Sequence, residues 1–173
     1  MRAWVWGWVL LFGLGSVFAE QAKTTNLAKA EVWTGWVSWV MDGDTVLVVR
    51  PGQKEPVKLR LDAVDAPETC HPGGTAARDA MIALALRKPV QVHSLGHDSY
   101  GRDIGRLSVD GTDLGAEMVR TGMVWAYRFR TGRGPYAALQ RQAQNEKRGV
   151  FAGREPPMSP ALFRKFNGSC YAP

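Results

Sequence analysis

Residues 42 to 45 read Asp-Gly-Asp-Thr and interrupt an otherwise apolar run, WVSWVMDGDTVLVVR. A second acidic group follows in LRLDAVDAPE, which holds Asp62, Asp65 and Glu68. Carboxylates that converge without enough basic partners repel, so they need protons or a cation. Their oxygens suit a hard divalent ion, calcium or magnesium. The triplet Asp-Gly-Asp taken alone reads as a polar turn between strands; the second cluster is what raises the metal reading. His71, His93 and His97 show no ligand spacing, and no Cys/His cluster supports zinc, so each histidine reads as a surface or packing residue.

Arginines complete this chemistry. Arg60 precedes Asp65 by five residues, and Arg102 lies in DSYGRDIGRL. Forked guanidinium groups bind phosphate oxygens in pairs and keep their charge. A phosphodiester attacked by water gains negative charge in the transition state. Two arginines and a divalent cation stabilise that charge, while a carboxylate orients or deprotonates the water. Asp65 and Glu68, three apart across Pro67, can divide the roles of ligand and base. Either arginine alone reads as a solvated surface residue.

The elements that must position these groups are short strands. TGWVSWVM is aromatic and β-branched, and TVLVVR runs to the turn at Pro51-Gly52. Val57 to Leu61 alternates, with Lys58 and Arg60 opposite Val57, Leu59 and Leu61. PVQVHSL at 89–95 and DIGRLSV at 103–109 follow, the latter ending at Asp110-Gly111. Helical spacing appears in TAARDAMIALAL with Thr75 as cap, in DLGAEMVRTG with Asp113 as cap and Gly122 as stop, and in GPYAALQRQAQNEKRG. In the last, Pro135 suits the first helical position and Gly149 the end. Five short strands with three helices imply an α+β chain built on a Greek-key barrel, the OB-fold. A parallel sheet would need a helix between 45–50 and 57–61, and none is there.

Length and charge set the outer limits. The 173 residues suffice for one domain with a core. Residues 1–19, MRAWVWGWVLLFGLGSVFA, read as a signal peptide: a basic start, an apolar stretch and a small-residue end. An uncleaved anchor is the competing reading. Residues 20–31 read as a flexible arm, 32–154 as the domain, and 155–173 as an irregular Pro-rich tail. Without Arg2, 21 basic residues stand against 16 acidic ones, a charge of +5. That balance suits a polyanionic partner.

The whole arrangement resembles the staphylococcal (micrococcal) nuclease, or thermonuclease, family. The likeness rests on DGDT, a strand ending L-R-L-x-x-V-D-A-P-E, a helix, D-x-Y-G-R, and a further helix followed by A-Y, over roughly Gly35 to Phe151. The resemblance implies an OB-fold barrel with three helices that cleaves DNA and RNA with calcium, leaving 3′-phosphate and 5′-hydroxyl ends. By position, Asp44, Asp65 and the backbone carbonyl of Ala66 would bind calcium, with Asp42 just outside as a support. Glu68 would be the general base, Arg60 and Arg102 would hold the scissile phosphate, Tyr100 would touch a terminal phosphate, and Tyr127 would stack near a base. Departures from the family pattern are Ala66 in place of threonine, Ser99 in place of a phosphate-holding lysine, a shorter segment TCHPGG after Glu68, and Phe129 in place of tyrosine.

This implies a secreted or periplasmic enzyme that acts as a monomer on DNA and RNA, without stable membrane association once the signal is removed. One alternative is an inactive OB-fold that binds single strands on Trp33, Trp36, Trp39 and Tyr127. The tryptophans read more readily as core or strand-packing residues, and the complete set of acids and arginines argues for an enzyme. A second alternative is a surface interaction module held by an uncleaved amino terminus. The two cysteines, Cys70 and Cys170, fit one intramolecular bridge in an exported chain. Free thiols, an intermolecular link or a metal pair with His71 are the other readings. The bridge would lay the tail beside Glu68.

Overall fold

The computed structural model describes residues 31–127, 134–155 and 158–170. Residues 1–19, read as a signal peptide, most of the residues read as an arm, and Phe129 lie outside them. Strands β1 (Glu31–Val40), β2 (Thr45–Val49) and β3 (Val57–Leu61) form an antiparallel meander. After β4 (Val64–Asp65) and helix α1 (Gly74–Ala85), β5 (Pro89–His97) returns along β1 and pairs with β6 (Asp103–Val109). Parallel pairing of β3 with β6, Leu59 to Asp103 through Leu61 to Gly105, closes these five strands into the OB barrel. β7 (Thr112–Asp113), α2 (Leu114–Arg120), β8 (Trp125–Ala126), α3 (Ala137–Asn145) and α4 (Pro160–Asn167) follow.

Period-two alternation builds the core. Leu59 and Leu61 point inward while Lys58 and Arg60 point toward the mouth, and Val46, Val48, Val92 and Leu107 fill the interior. β1 departs from simple alternation. A bulge between Val37 and Trp39 lets Val37 and Val40 both face the core, and leaves Trp36 and Trp39 outside at 45% and 55% exposure. The core half of the reading is therefore corrected for those two; of the three β1 tryptophans, Trp33 packs against the interior.

Helix termini bring further corrections. α1 has Gly73, at φ 88°, rather than Thr75 as its N-cap, with no side-chain cap. The chain turns sharply there, because a Cβ on Gly74 would lie 1.8 Å from the Glu68 carbonyl oxygen. α2 is capped by Asp113, whose carboxylate accepts from the Ala116 N–H at 3.0 Å, and Gly122, at φ 74°, follows its end. α3 starts at Ala137 with Tyr136 as N-cap, so Pro135 stands outside it, and it ends at Asn145 rather than at Gly149. Gly149 instead opens a short 3₁₀ turn, Gly149–Phe151.

The tail is not wholly irregular. Pro160 starts α4, a fourth helix, as a first-turn proline that needs no N–H donor. Phe163 on this helix stacks on buried His71, with ring centroids 3.9 Å apart and planes 17° apart. Cys70 and Cys170 form the disulfide, linking the helix's far end to the loop after Glu68. An eight-residue helix is marginal alone; these two attachments supply the tertiary support that its periodicity could not reveal.

Candidate functional site

The sequence Asp42-Gly43-Asp44-Thr45 makes the turn between β1 and β2. Asp42 accepts from the Asp44 N–H at 2.9 Å, and the N–H groups of Met41 and Asp42 both donate to the Thr45 carbonyl. A side chain is excluded at Gly43: a Cβ there would stand 2.9 Å from Ala77 Cβ and 3.1 Å from Ala66 Cβ. The glycine between the acids thus lets α1 and the Ala66 loop close over the turn. Asp44 is buried as a result.

Asp44 meets Arg60 through the β2–β3 ladder, since Thr45 pairs with Arg60 and the Leu61 N–H donates to the Asp44 carbonyl at 2.8 Å. Arg60 forms a close ion pair with Asp44. It also reaches Asp65 Oδ1 at 3.4 Å and the Val64 carbonyl at 3.2 Å. Asp44 Oδ2 accepts from the Ala66 N–H at 2.6 Å, and Oδ1 accepts from the Thr45 hydroxyl at 2.9 Å. Burial pushes the Asp44 carboxyl upward, but Arg60 and these donors outweigh it and hold its pKa below the usual value. Asp42 goes the other way. Burial first, then the Asp44 charge, push it up to about 7.

Asp65 is placed by β4, which pairs with β8 so that Asp65 faces Trp125. Ala63, at φ 61°, turns the chain from β3 into β4, and the Tyr127 N–H donates to its carbonyl at 2.8 Å. Burial raises the Asp65 pKa, the Asp44 charge adds to the rise, and Arg164 and Arg60 oppose it. Glu68 lies three residues on, at the mouth. Arg102 comes from the turn before β6 and is held by Asp98, whose carboxylate accepts from its Nε at 2.7 Å and pairs with Nη2 at 2.6 Å. Asp98 also accepts from the Tyr100 and Arg102 N–H groups, so one residue shapes the whole D-x-Y-G-R turn. Arg102 lies over the exposed Tyr100 ring, 5.5 Å from its centroid.

One cavity of about 790 Å³ gathers Asp42, Asp44, Arg60, Ala66, Glu68, Tyr100 and Arg102 in its lining. Asp65 sits behind it against Arg60 and Arg164. Tyr127 is half-exposed and is not among the lining residues. Two basic groups also line the cavity: Lys58, read from the sequence only as a polar-face strand residue, and Arg164, which that reading did not single out. Arg164 was discoverable in principle: it lies six residues before Cys170, whose predicted partner is two residues from Glu68. Asp98 shows only as an ordinary loop acid until the turn is folded.

The donors facing the floor are oxygens, which fits a hard cation and excludes a soft-metal set. Among the described residues no group of three or more His, Cys, Asp or Glu side chains forms a ligand cluster. Two carboxylates, Asp44 and Asp65, lie on either side of Arg60.

Comparison with known proteins bears on the same residues. The staphylococcal nuclease homologue family matches residues 58–152, which carry Arg60, Asp65, Glu68 and Arg102. The chain belongs to the staphylococcal nuclease family. It is 34% identical to an uncharacterized endonuclease of Escherichia coli O157:H7 across 70% of this chain and 79% of that protein. It is 33% identical to a micrococcal nuclease of Shigella flexneri, covering 67% and 72% of the two chains. It is also 33% identical to protein ParB of Escherichia coli, covering 78% and 82%. The family relation supports a hydrolase acting on nucleic acid. Among the described residues no helix is long and apolar enough to cross a membrane.

Proposed function

We propose that this chain is an exported, calcium-dependent nuclease that hydrolyses DNA and RNA to 3′-phosphate and 5′-hydroxyl ends. The observation that carries the reading is the single cavity in which a buried Asp44–Arg60 pair, Glu68 and Arg102 face one another. Asp44, Asp65 and the Ala66 carbonyl would hold the calcium, with Asp42 supporting the turn. Calcium bound there supplies positive charge to a phosphate whose own charge grows during attack.

The chain's own groups do the rest. Arg102, oriented by Asp98, presents its fork to phosphate oxygens, and Arg60 shares its guanidinium between the acids and the phosphate. Glu68 takes a proton from the attacking water. The new P–O bond forms from that water, the 5′ P–O bond breaks, and the 5′ oxygen leaves and takes up a proton. Since water rather than a ribose 2′-hydroxyl attacks, both DNA and RNA qualify. Tyr100, beside Arg102 in the cavity lining, would touch a neighbouring phosphate, and exposed Tyr127 would stack on a base. The apolar residues 1–19 and the disulfide support export, and the chain is proposed to act as a monomer.

The test is a gel of plasmid and RNA incubated with the mature domain in calcium or in excess chelator. Cleavage in calcium that chelator abolishes, with 3′-phosphate ends on the products, is expected. Full activity in chelator would refute the metal assignment. Retardation of single strands without cleavage would favour the binding-only alternative.

A further inference from the structure

α4 does more than cover the mouth. It is held at one end by the Cys70–Cys170 disulfide and in the middle by the Phe163–His71 stack. Next to Phe163, Arg164 points into the cavity. Its Nη2 donates to Asp65 Oδ1 at 3.0 Å and to Oδ2 at 3.1 Å, and its Nη1 donates to Glu68 Oε1 at 3.3 Å. One guanidinium from the tail therefore spans the proposed metal ligand and the proposed base.

This geometry has a chemical consequence. Both Asp65 oxygens accept from Arg164, so a cation ligated by Asp65 meets a fixed positive charge on the same carboxylate. A guanidinium cannot lose its proton to relieve that repulsion, which favours its moving away. Its side chain is 35% exposed, which gives it room, while the disulfide keeps it at the mouth. Once it leaves Asp65, the anions at that mouth are Glu68, which it already touches, and the substrate phosphate facing Arg60 and Arg102.

We propose that Arg164 is a further substrate-binding residue: it neutralises Asp65 before the cation enters and passes to a nucleic-acid phosphate afterwards. The role rests on the nuclease reading of the cavity. Arg164 opposes calcium alone and favours nucleic acid once calcium is bound, so the two ligands bind cooperatively through one tethered side chain. The disulfide contributes by keeping the effective concentration of the guanidinium high.

Calorimetric titration of the oxidised mature chain tests this, first with calcium alone and then with a phosphorothioate oligodeoxynucleotide at saturating calcium. Arg164→Gln should bind calcium up to about fivefold more tightly and the oligonucleotide up to about fivefold more weakly, the scale of a partly exposed ion pair. A Cys70→Ser/Cys170→Ser variant, in which Arg164 is present but untethered, should shift both affinities the same way by a smaller factor. Unchanged calcium affinity in Arg164→Gln would overturn the proposal, as would unchanged oligonucleotide affinity or a double variant identical to wild type. If calcium binds neither wild type nor Arg164→Gln, the nuclease reading itself fails and this role falls with it. Calcium binding of equal strength in both sinks only the role of Arg164.

Discussion

Arg60 should be as important to folding as to catalysis, and Arg60→Gln separates the two. Its side chain is 18% exposed and is the closest cation to Asp44, whose own side chain is only 4% exposed. Removing one partner of a buried ion pair costs about 3–5 kcal/mol, because the other charge is left uncompensated. Asp44 would keep the Ala66 N–H at 2.6 Å and the Thr45 hydroxyl at 2.9 Å, which places the loss at the lower end, about 3 kcal/mol. That is a large share of an ordinary domain's stability. The sign with pH follows from Asp44. Its folded pKa lies below the unfolded value in the wild type, so its contribution is present above the unfolded carboxylate pKa and is lost as pH falls through the folded one. The gap between wild type and Arg60→Gln should therefore be full at neutral pH and narrow in acid. Denaturant unfolding without metal, repeated from neutral to acid pH, measures it, with exposed Arg141→Gln as the control. Calcium should recover part of the loss, since it binds the folded state. A loss within about 0.5 kcal/mol, like that of a surface change, would refute the argument and leave Arg60 as a phosphate ligand alone.

Further outcomes follow from the same contacts. Glu68→Gln should keep its fold by circular dichroism and lose on the order of 10² or more in cleavage rate; near-normal turnover would assign the base elsewhere. Asp42 carries a folded pKa of about 7, above its unfolded value, so its ionisation costs stability progressively from the acid range up to neutral pH. Asp42→Asn can still accept the Asp44 N–H, and its thermal midpoint should rise relative to wild type as pH increases toward 7. Reduction of Cys70–Cys170 opens a loop of 100 residues, for which chain entropy sets a ceiling of about 4.7 kcal/mol, and differential scanning should show a lower midpoint. An unchanged midpoint would mean that the tail is held by the Phe163–His71 contact.

Much of the barrel and its acids was legible in the linear chain, because strand alternation and turn residues are local. Leu59 and Leu61 against Lys58 and Arg60 state which face is inside, and DGDT marks the turn that presents the acids. The cysteine pairing was legible too, since two cysteines in a chain read as exported leave few choices. Local rules failed where distant segments set the outcome. The bulge at Val37–Trp39 lies in the pairing of β1 with β2, so Trp36 and Trp39 came outside. The tail helix depends on a disulfide and on a ring stack with His71, neither of which has a helical period. Arg164 is the clearest case: 99 residues separate it from Asp65, and only closure of the tail turns a surface-like arginine into a partner for the site's carboxylates. Residue types alone determined what chemistry this protein could do. Which cation guards that chemistry was decided in three dimensions, because electrostatic contact depends on distance in space and not on separation along the chain.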